Sequence, residues 1–285
     1  MPLAALGLVL TAAVMHAIWN LMVKQARLKQ VFIWWGVIIG TLIYSVVPIF
    51  GPQLPAQAWP YVISSAIMEA LYYITLTWAY NIDDFSLVYP LARGTAPALL
   101  ALWATLFLQE PPRPAGLVGI GLLVLGLIIV GGSSIWGRLG KASFSTKGIL
   151  VALATAVCIS IYSAIDGAAV RFVPPAPYTV LVLGLSGLFF TPVILWRYGR
   201  RAITTEWKVN WLRIILVAIL MLLTYLLVLY AYAMGNVSYA GAIREVSVVF
   251  GAFLGWRLLG EGLGRWRLIG AVFIFAGILT IAILG

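Results

Sequence analysis

Charged side chains are scarce in this sequence. Asp, Glu, Lys and Arg make up 9% of its 285 residues, 8 of them acidic and 18 basic, and there is one cysteine, Cys158, and one histidine, His16. A single cysteine excludes a disulfide within the chain, and Cys158 sits inside an apolar segment, where a thiol acts as a small packing group. The H-E-x-x-H, G-x-S-x-G and P-loop patterns are missing. An intramembrane hydrolase therefore has neither a nucleophile nor a metal constellation to work with, and no cofactor or metal site is expected. Without a nucleotide-binding element, the expected energy source is an ion or substrate gradient, or none. No basic residue precedes the first apolar stretch, which ends at Lys24, so that stretch is expected to be a retained helix and not a cleaved signal.

What is present is hydrocarbon. Hydrophobic residues make up 63% of the chain, and apolar stretches of about 20 residues recur from end to end with few charges inside them. The expected class is an all-α polytopic membrane protein. Apolar runs bounded by charges, Pro and Gly give ten candidate spans, at about 3–23, 31–50, 58–80, 85–108, 114–135, 148–170, 177–197, 211–234, 238–259 and 265–284. The connections are too short for a soluble domain; the longest are RLGKASFSTK (138–147) and RYGRRAITTEWKVN (197–210). The net charge of +10 gathers in these gaps, which marks membrane topology and argues against a nucleic-acid partner.

The second half of the chain repeats the first. Ala13, Val14 and Trp19 match Ala156, Val157 and Tyr162 at one spacing. Tyr73, Ala79, Tyr80 and Ser86 match Tyr225, Ala231, Tyr232 and Ser238, and Arg93, Leu108, Glu110, Gly119 and Gly126 match Arg244, Leu259, Glu261, Gly270 and Gly277. The expected organisation is a five-helix unit over 1–137, a basic connection over 138–147 and a second five-helix unit over 148–285. Five is odd, so the second unit enters the membrane from the opposite side. Two inverted repeats around a central cavity are an architecture for alternating access. Lys24, Arg27, Lys29, Arg138, Lys141, Lys147, Arg197, Arg200, Arg201, Lys208 and Arg265 fall in connections on one side, against Arg113 and Arg171 on the other. The positive-inside rule places the first set in the cytoplasm and both termini outside.

Each half closes on a Glu followed by two glycines at the same spacing: Glu110, Gly119, Gly126 and Glu261, Gly270, Gly277. This pattern, with HAIWN (16–20), YPLARGTAP (89–97) and REVSVVFGAFLGW (244–256), resembles the EamA-type repeat of the drug/metabolite transporter superfamily over the whole chain. The resemblance implies a ten-helix basket with a central cavity, and export or exchange of small metabolites across a plasma membrane, a bacterial inner membrane being the leading case. The glycine pairs are expected to pack helices closely. Glu110 and Glu261 are expected to form solvated ion pairs or caps near Arg113 and Arg265.

Six ionisable residues lie inside apolar spans: His16, Glu69, Arg93, Asp166, Arg244 and Glu245. A central Arg, Lys or Asp costs about 2.5–3.5 kcal/mol on an insertion scale, so each needs a partner or a wet cavity. Arg93 and Arg244 are repeat-related and suit bidentate binding of a carboxylate or phosphate. The alternative is an interhelix bridge to Glu245 or Glu69. Pro90 and Pro97 bracket Arg93 and are expected to break the helix there. Glu69 is a candidate proton carrier, the counter-charge for a substrate ammonium, or a fixed partner of Arg93. Tyr73, Tyr80, Tyr89, Tyr225 and Tyr232, with Trp19 and Asn20, are candidate cavity-lining groups; Tyr72 and Leu76 continue the face of Glu69. His16 joins Glu69 and Glu245 as a candidate ion-coupling or gating group, and Asp166 is expected to pair with Arg171 at a helix boundary.

The leading expectation is a secondary active or facilitative transporter, an exporter, of a small anionic or zwitterionic metabolite such as an amino acid. The rival is a proton-coupled exporter of lipophilic cationic drugs, held by Glu69 and the tyrosines through charge and cation–π contact. Expected partners are the substrate, the lipid bilayer and, as a coupling ion, protons. A monomer contains both halves and suffices; a dimer is compatible.

Overall fold

The computed structural model describes residues 1–82, 85–136, 146–250, 253, 257 and 265–284, and among them every regular element is helical. In chain order these are α1 (Leu3–Gln25), α2 (Lys29–Tyr44), α3 (Val46–Phe50), a 3₁₀ turn (Ala56–Ala58), α4 (Trp59–Ile82), α5 (Phe85–Phe107), α6 (Pro114–Trp136), α7 (Thr146–Ala169), α8 (Pro175–Met234), α9 (Val237–Arg244) and α10 (Arg265–Leu284). Five stretches among the described residues are long and apolar enough to cross a membrane: Leu3–Val23, Lys29–Phe50, Ala56–Ala79, Thr146–Ala169 and Pro175–Met234. Large apolar side chains such as Phe50, Phe107, Trp196, Val272 and Phe275 face outward, while Glu69, Arg93, Asp166, Arg244 and Glu245 are buried. An apolar exterior around a charged interior suits a solvent of lipid and not of water.

Three local features depart from the sequence pattern. The polar stretch 197–210, expected as a loop, is helical: α8 runs through it with a single break at Gly199 (φ 70°, ψ 163°). That backbone is essentially restricted to glycine. Beyond it RRAITTEWKVN contains no Gly or Pro, so the helix restarts at once. Its inner face is anchored: Ile203 and Glu206 are buried, Trp35 Nε1 donates to the Ile203 carbonyl at 3.1 Å, and Trp35 and Trp207 lie 5.0 Å apart. Second, α5 is helical throughout, so Pro90 and Pro97 do not break it; prolines are tolerated in membrane helices where neighbours satisfy the freed backbone. The interruption falls instead in the repeat-related segment, where α9 ends at Arg244, turns at Glu245 and Val246 and resumes at 247–250. Third, the expected span 31–50 is divided at Ser45 into α2 and α3.

Helices of the two halves interleave. Contacts join α1 and α2 to α8, α4 and α5 to α7, and α6 to α10. The α6–α10 contact is made by the four glycines: a Cβ on Gly126 would lie 2.6 Å from the Gly270 carbonyl oxygen, and one on Gly277 would lie 2.6 Å from that of Gly119. Gly119 thus meets Gly277 and Gly126 meets Gly270, a reciprocal pattern that requires the two repeat-related helices to run antiparallel. Small residues let the backbones approach this closely.

Candidate functional site

The interleaved helices leave a cavity of about 50 Å³. Its polar wall is His16 and Trp19 from α1, Glu69 from α4, Arg93 from α5, Thr224 from α8 and Arg244 from α9. Tyr72, Tyr73, Tyr162 and Tyr225 supply an aromatic wall. Ligand sites for small molecules are roughly 300–1,000 Å³, so the cavity as it stands is small for one.

The charges meet at one point. Arg93 Nη1 donates to Glu245 Oε1 at 3.2 Å and to Oε2 at 3.0 Å, and Arg244 Nε donates to Glu245 Oε1 at 3.2 Å. Two guanidiniums, one from each half, therefore share one carboxylate. The tight turn after α9 makes this possible: the Glu245 N–H bonds back to Ala242 and Ile243, which brings adjacent Arg244 and Glu245 side chains to the same side. Arg93 Nη2 lies 2.9 Å from His16 Nε2. A guanidinium only donates, so Nε2 accepts and the ring proton is on Nδ1. Arg244 Nη2 also reaches Ser163 Oγ at 3.4 Å, and Arg93 Nη2 reaches the Tyr72 hydroxyl at 3.4 Å.

Glu69 stands apart from this cluster. Its Oε1 accepts from the Tyr73 hydroxyl at 3.3 Å, whereas its Oε2 is buried with no partner. Trp19 Nε1 and Thr224 Oγ1 are also buried and without partners. A donor, an acceptor and a hydroxyl on one cavity wall are thus left for something other than protein. The fixed Glu69–Arg93 bridge is not formed.

Asp166 is placed differently from the sequence expectation. It is fully buried, and its Oδ1 accepts from Ser65 Oγ at 2.6 Å and from the Tyr178 hydroxyl at 2.8 Å. The Tyr225 hydroxyl donates to Oδ2. Arg171 turns away to Glu110 and to the Leu108 carbonyl at 3.0 Å. The boundary ion pair therefore joins Arg171 to Glu110, because the chain leaves α7 after Ala169 and carries Arg171 toward the α5–α6 connection. Glu110 also caps α9: its Oε2 accepts the Val237 N–H at 3.0 Å. Its expected role as a pair or cap holds, with Arg171 in place of Arg113.

Of the residues singled out in the sequence, the cavity brings together His16, Trp19, Glu69, Tyr73, Arg93, Tyr225 and Arg244, with Glu245 bound to both arginines. Asn20 is outside the wall and donates to the His16 carbonyl at 2.8 Å. Tyr232 packs in the apolar core beyond it. The side chains of Tyr80 and Tyr89, and all of Glu261, lie outside the described residues. Sequence reasoning passed over Thr224, which takes the place of Tyr72 in the repeat, and Tyr162, which takes that of Trp19. The repeat itself was the signal that marks both.

The EamA-like transporter family model matches residues 3–132 and 146–283. A solved protein described as "Crystal structure of protein" superposes with a TM-score of 0.78 at 18% identity, over 99% of each chain. At that identity the likeness concerns the fold. No curated protein matches the chain.

Proposed function

The chain belongs to the EamA-like transporter family, and from that premise we propose that it carries a small anionic or zwitterionic metabolite, such as an amino acid, across the plasma membrane by alternating access. The observation that carries this reading is the convergence of Arg93 and Arg244 on the single carboxylate of Glu245 at the cavity. Two guanidiniums at the cavity wall, one from each half, offer donors that a ligand carboxylate or phosphate meets through bidentate contacts. The antiparallel α6–α10 pair supports two inverted halves, and the break at Gly199 supports counting α8 as two spans, hence ten helices. In alternating access the halves rock about such a site. Export is the direction we assign.

One observation favours a second reading. The unpartnered Oε2 of Glu69 beside four tyrosines suits a lipophilic cation. A thermal-shift screen of the purified protein separates the two, with amino acids, dicarboxylates, phosphorylated anions and lipophilic cations as probes. A ligand at 100 times its Kd stabilises by about 2.7 kcal/mol. Stabilisation by an anion or zwitterion, lost in Arg244→Gln, supports the arginine site. Stabilisation by cations alone, lost in Glu69→Gln, overturns it.

A further inference from the structure

Asp166 is buried and does not itself line the cavity, yet it touches the cavity through Tyr225. We propose that Asp166 is a proton-binding site whose occupancy sets whether the Tyr225 hydroxyl offers the cavity an acceptor or a donor.

The argument is a count of hydrogens. As a carboxylate, Asp166 accepts three: two at Oδ1, from Ser65 and Tyr178, and one at Oδ2, from Tyr225. The phenolic hydrogen of Tyr225 is then committed to Asp166, and only its lone pairs are left for the cavity. When a proton arrives from water, Oδ1 is already filled by two donors, so the proton settles on Oδ2. The new Oδ2–H is a buried donor and needs an acceptor. Tyr225 oxygen is the atom already in place. The Asp166 O–H donates to it, and the phenolic O–H turns toward the cavity. No heavy atom moves, and one proton has been taken up. Ser65 and Tyr178 are not in the cavity wall, so Tyr225 alone transmits the change.

The groups facing Asp166 permit both states. From α4 these are Ser65 and Glu69; from α8, Tyr178, Tyr225 and, at a distance, Tyr232; from α9, Arg244, which also acts at a distance and makes no hydrogen bond to it. The fourth element on α7 is α5, which reaches it through Trp103 and Ser160. Among the described residues no cation is hydrogen-bonded to Asp166, so no fixed pair among them holds it in one charge state. A donor aimed into the cavity favours an anion there, and by linkage the anion favours the proton. Proton and anion then bind together. This last step rests on the anion reading above; the proton site does not.

The test has two arms on the full-length protein. Only Asp83, Asp84 and Asp166 carry this side chain, so carbon-13 labelling of aspartate and infrared difference spectra can isolate one group. Acidification from about pH 8 to about pH 5 should raise a carboxylic C=O band that Asp166→Asn removes and Tyr225→Phe shifts. An absent band, or one that Tyr225→Phe leaves in place, overturns the proposal whatever the cargo. In the second arm, succinate and L-glutamate binding should tighten about 2–10-fold over the same range, the effect of one hydrogen bond. Asp166→Asn, whose amide donates to Tyr225, should hold the tight value at both pH values, and Tyr225→Phe the weak one. A pH dependence that survives in Asp166→Asn and vanishes in Glu69→Gln or His16→Gln moves the proton elsewhere and overturns the proposal. If neither probe binds wild type at any pH, the anion reading fails while the infrared arm still decides the proton site.

Discussion

Glu245 accepts two hydrogen bonds from the guanidinium of Arg93, at 3.0 and 3.2 Å, joining residues of opposite halves of the chain. The same carboxylate holds Arg244, so losing Glu245 and losing Arg93 are not equivalent. Removing one partner of a buried pair costs about 3–5 kcal/mol because a charge is stranded. Arg93→Gln leaves Glu245 paired with Arg244, whereas Glu245→Gln leaves two guanidiniums facing each other. Glu245→Gln should therefore lower the thermal midpoint more than Arg93→Gln, as read by tryptophan fluorescence on heating. The reverse order would mean that Glu245 is not their shared counter-charge.

The glycines of α6 give a control within one helix. A Cβ on Gly126 would collide with backbone of α10 at 2.6 Å, while one on Gly121 would meet nothing within 4 Å. Gly126→Ala should cost about 1–3 kcal/mol through overpacking. Gly121→Ala should be neutral or stabilise by about 0.5–1 kcal/mol, because alanine is the better helix former. Equal effects in thermal unfolding would refute the close α6–α10 approach.

Much of this architecture was legible in the sequence because hydropathy and repeat spacing are local or regular signals. Arg93 and Arg244 were found by the repeat, and they do converge. Asp166 was misread for a physical reason. Its neighbour in sequence, Arg171, looked like its partner, but its real donors are Ser65, Tyr178 and Tyr225, brought in from other helices. No spacing encodes such a meeting. The helix over 200–210 was hidden in a similar way: its polar residues read as a loop, and the contacts of Ile203 and Trp207 with Trp35 that hold it appear only in three dimensions.

Glu110 couples the first half to the second by two separable contacts. It accepts the Val237 N–H at 3.0 Å and pairs with half-exposed Arg171. The exposed ion pair is worth little, about 0–1 kcal/mol, whereas loss of a helix cap costs about 0.5–2 kcal/mol. Glu110→Gln keeps the accepting oxygen, so Glu110→Ala should be the less stable of the two. Salt should narrow that gap very little, since the cap is not an ion pair.

Gly199 should resist any side chain. At φ 70° and ψ 163° a non-glycine residue pays about 1–3 kcal/mol. The space around it is open, with nothing within 4 Å of a Cβ, so the penalty is one of backbone and not of packing. Gly199→Ala and Gly199→Val should therefore lower the thermal midpoint by similar amounts. A much larger loss for valine would point to crowding instead.

The orientation in the membrane follows from which ends of the bundle carry the cations. Tyr198 bonds to Gln30, and Trp35 stacks on Trp207, so the connections near residues 24–31 and 198–210 share one end. Exposed Arg27, Lys29, Arg197, Arg200, Arg201 and Lys208 lie there. The other end holds Met1 and Pro2 beside Gly235, with Arg171 and Glu110. Positive charge near span ends tends to stay cytoplasmic, and on that rule we propose that the N-terminus is outside. Cys158 is the chain's only cysteine, so a Cys158→Ala background reports on single introduced thiols. In intact cells a membrane-impermeant maleimide should label Gln53→Cys and spare Arg200→Cys until the cells are opened. The opposite pattern would turn the molecule over.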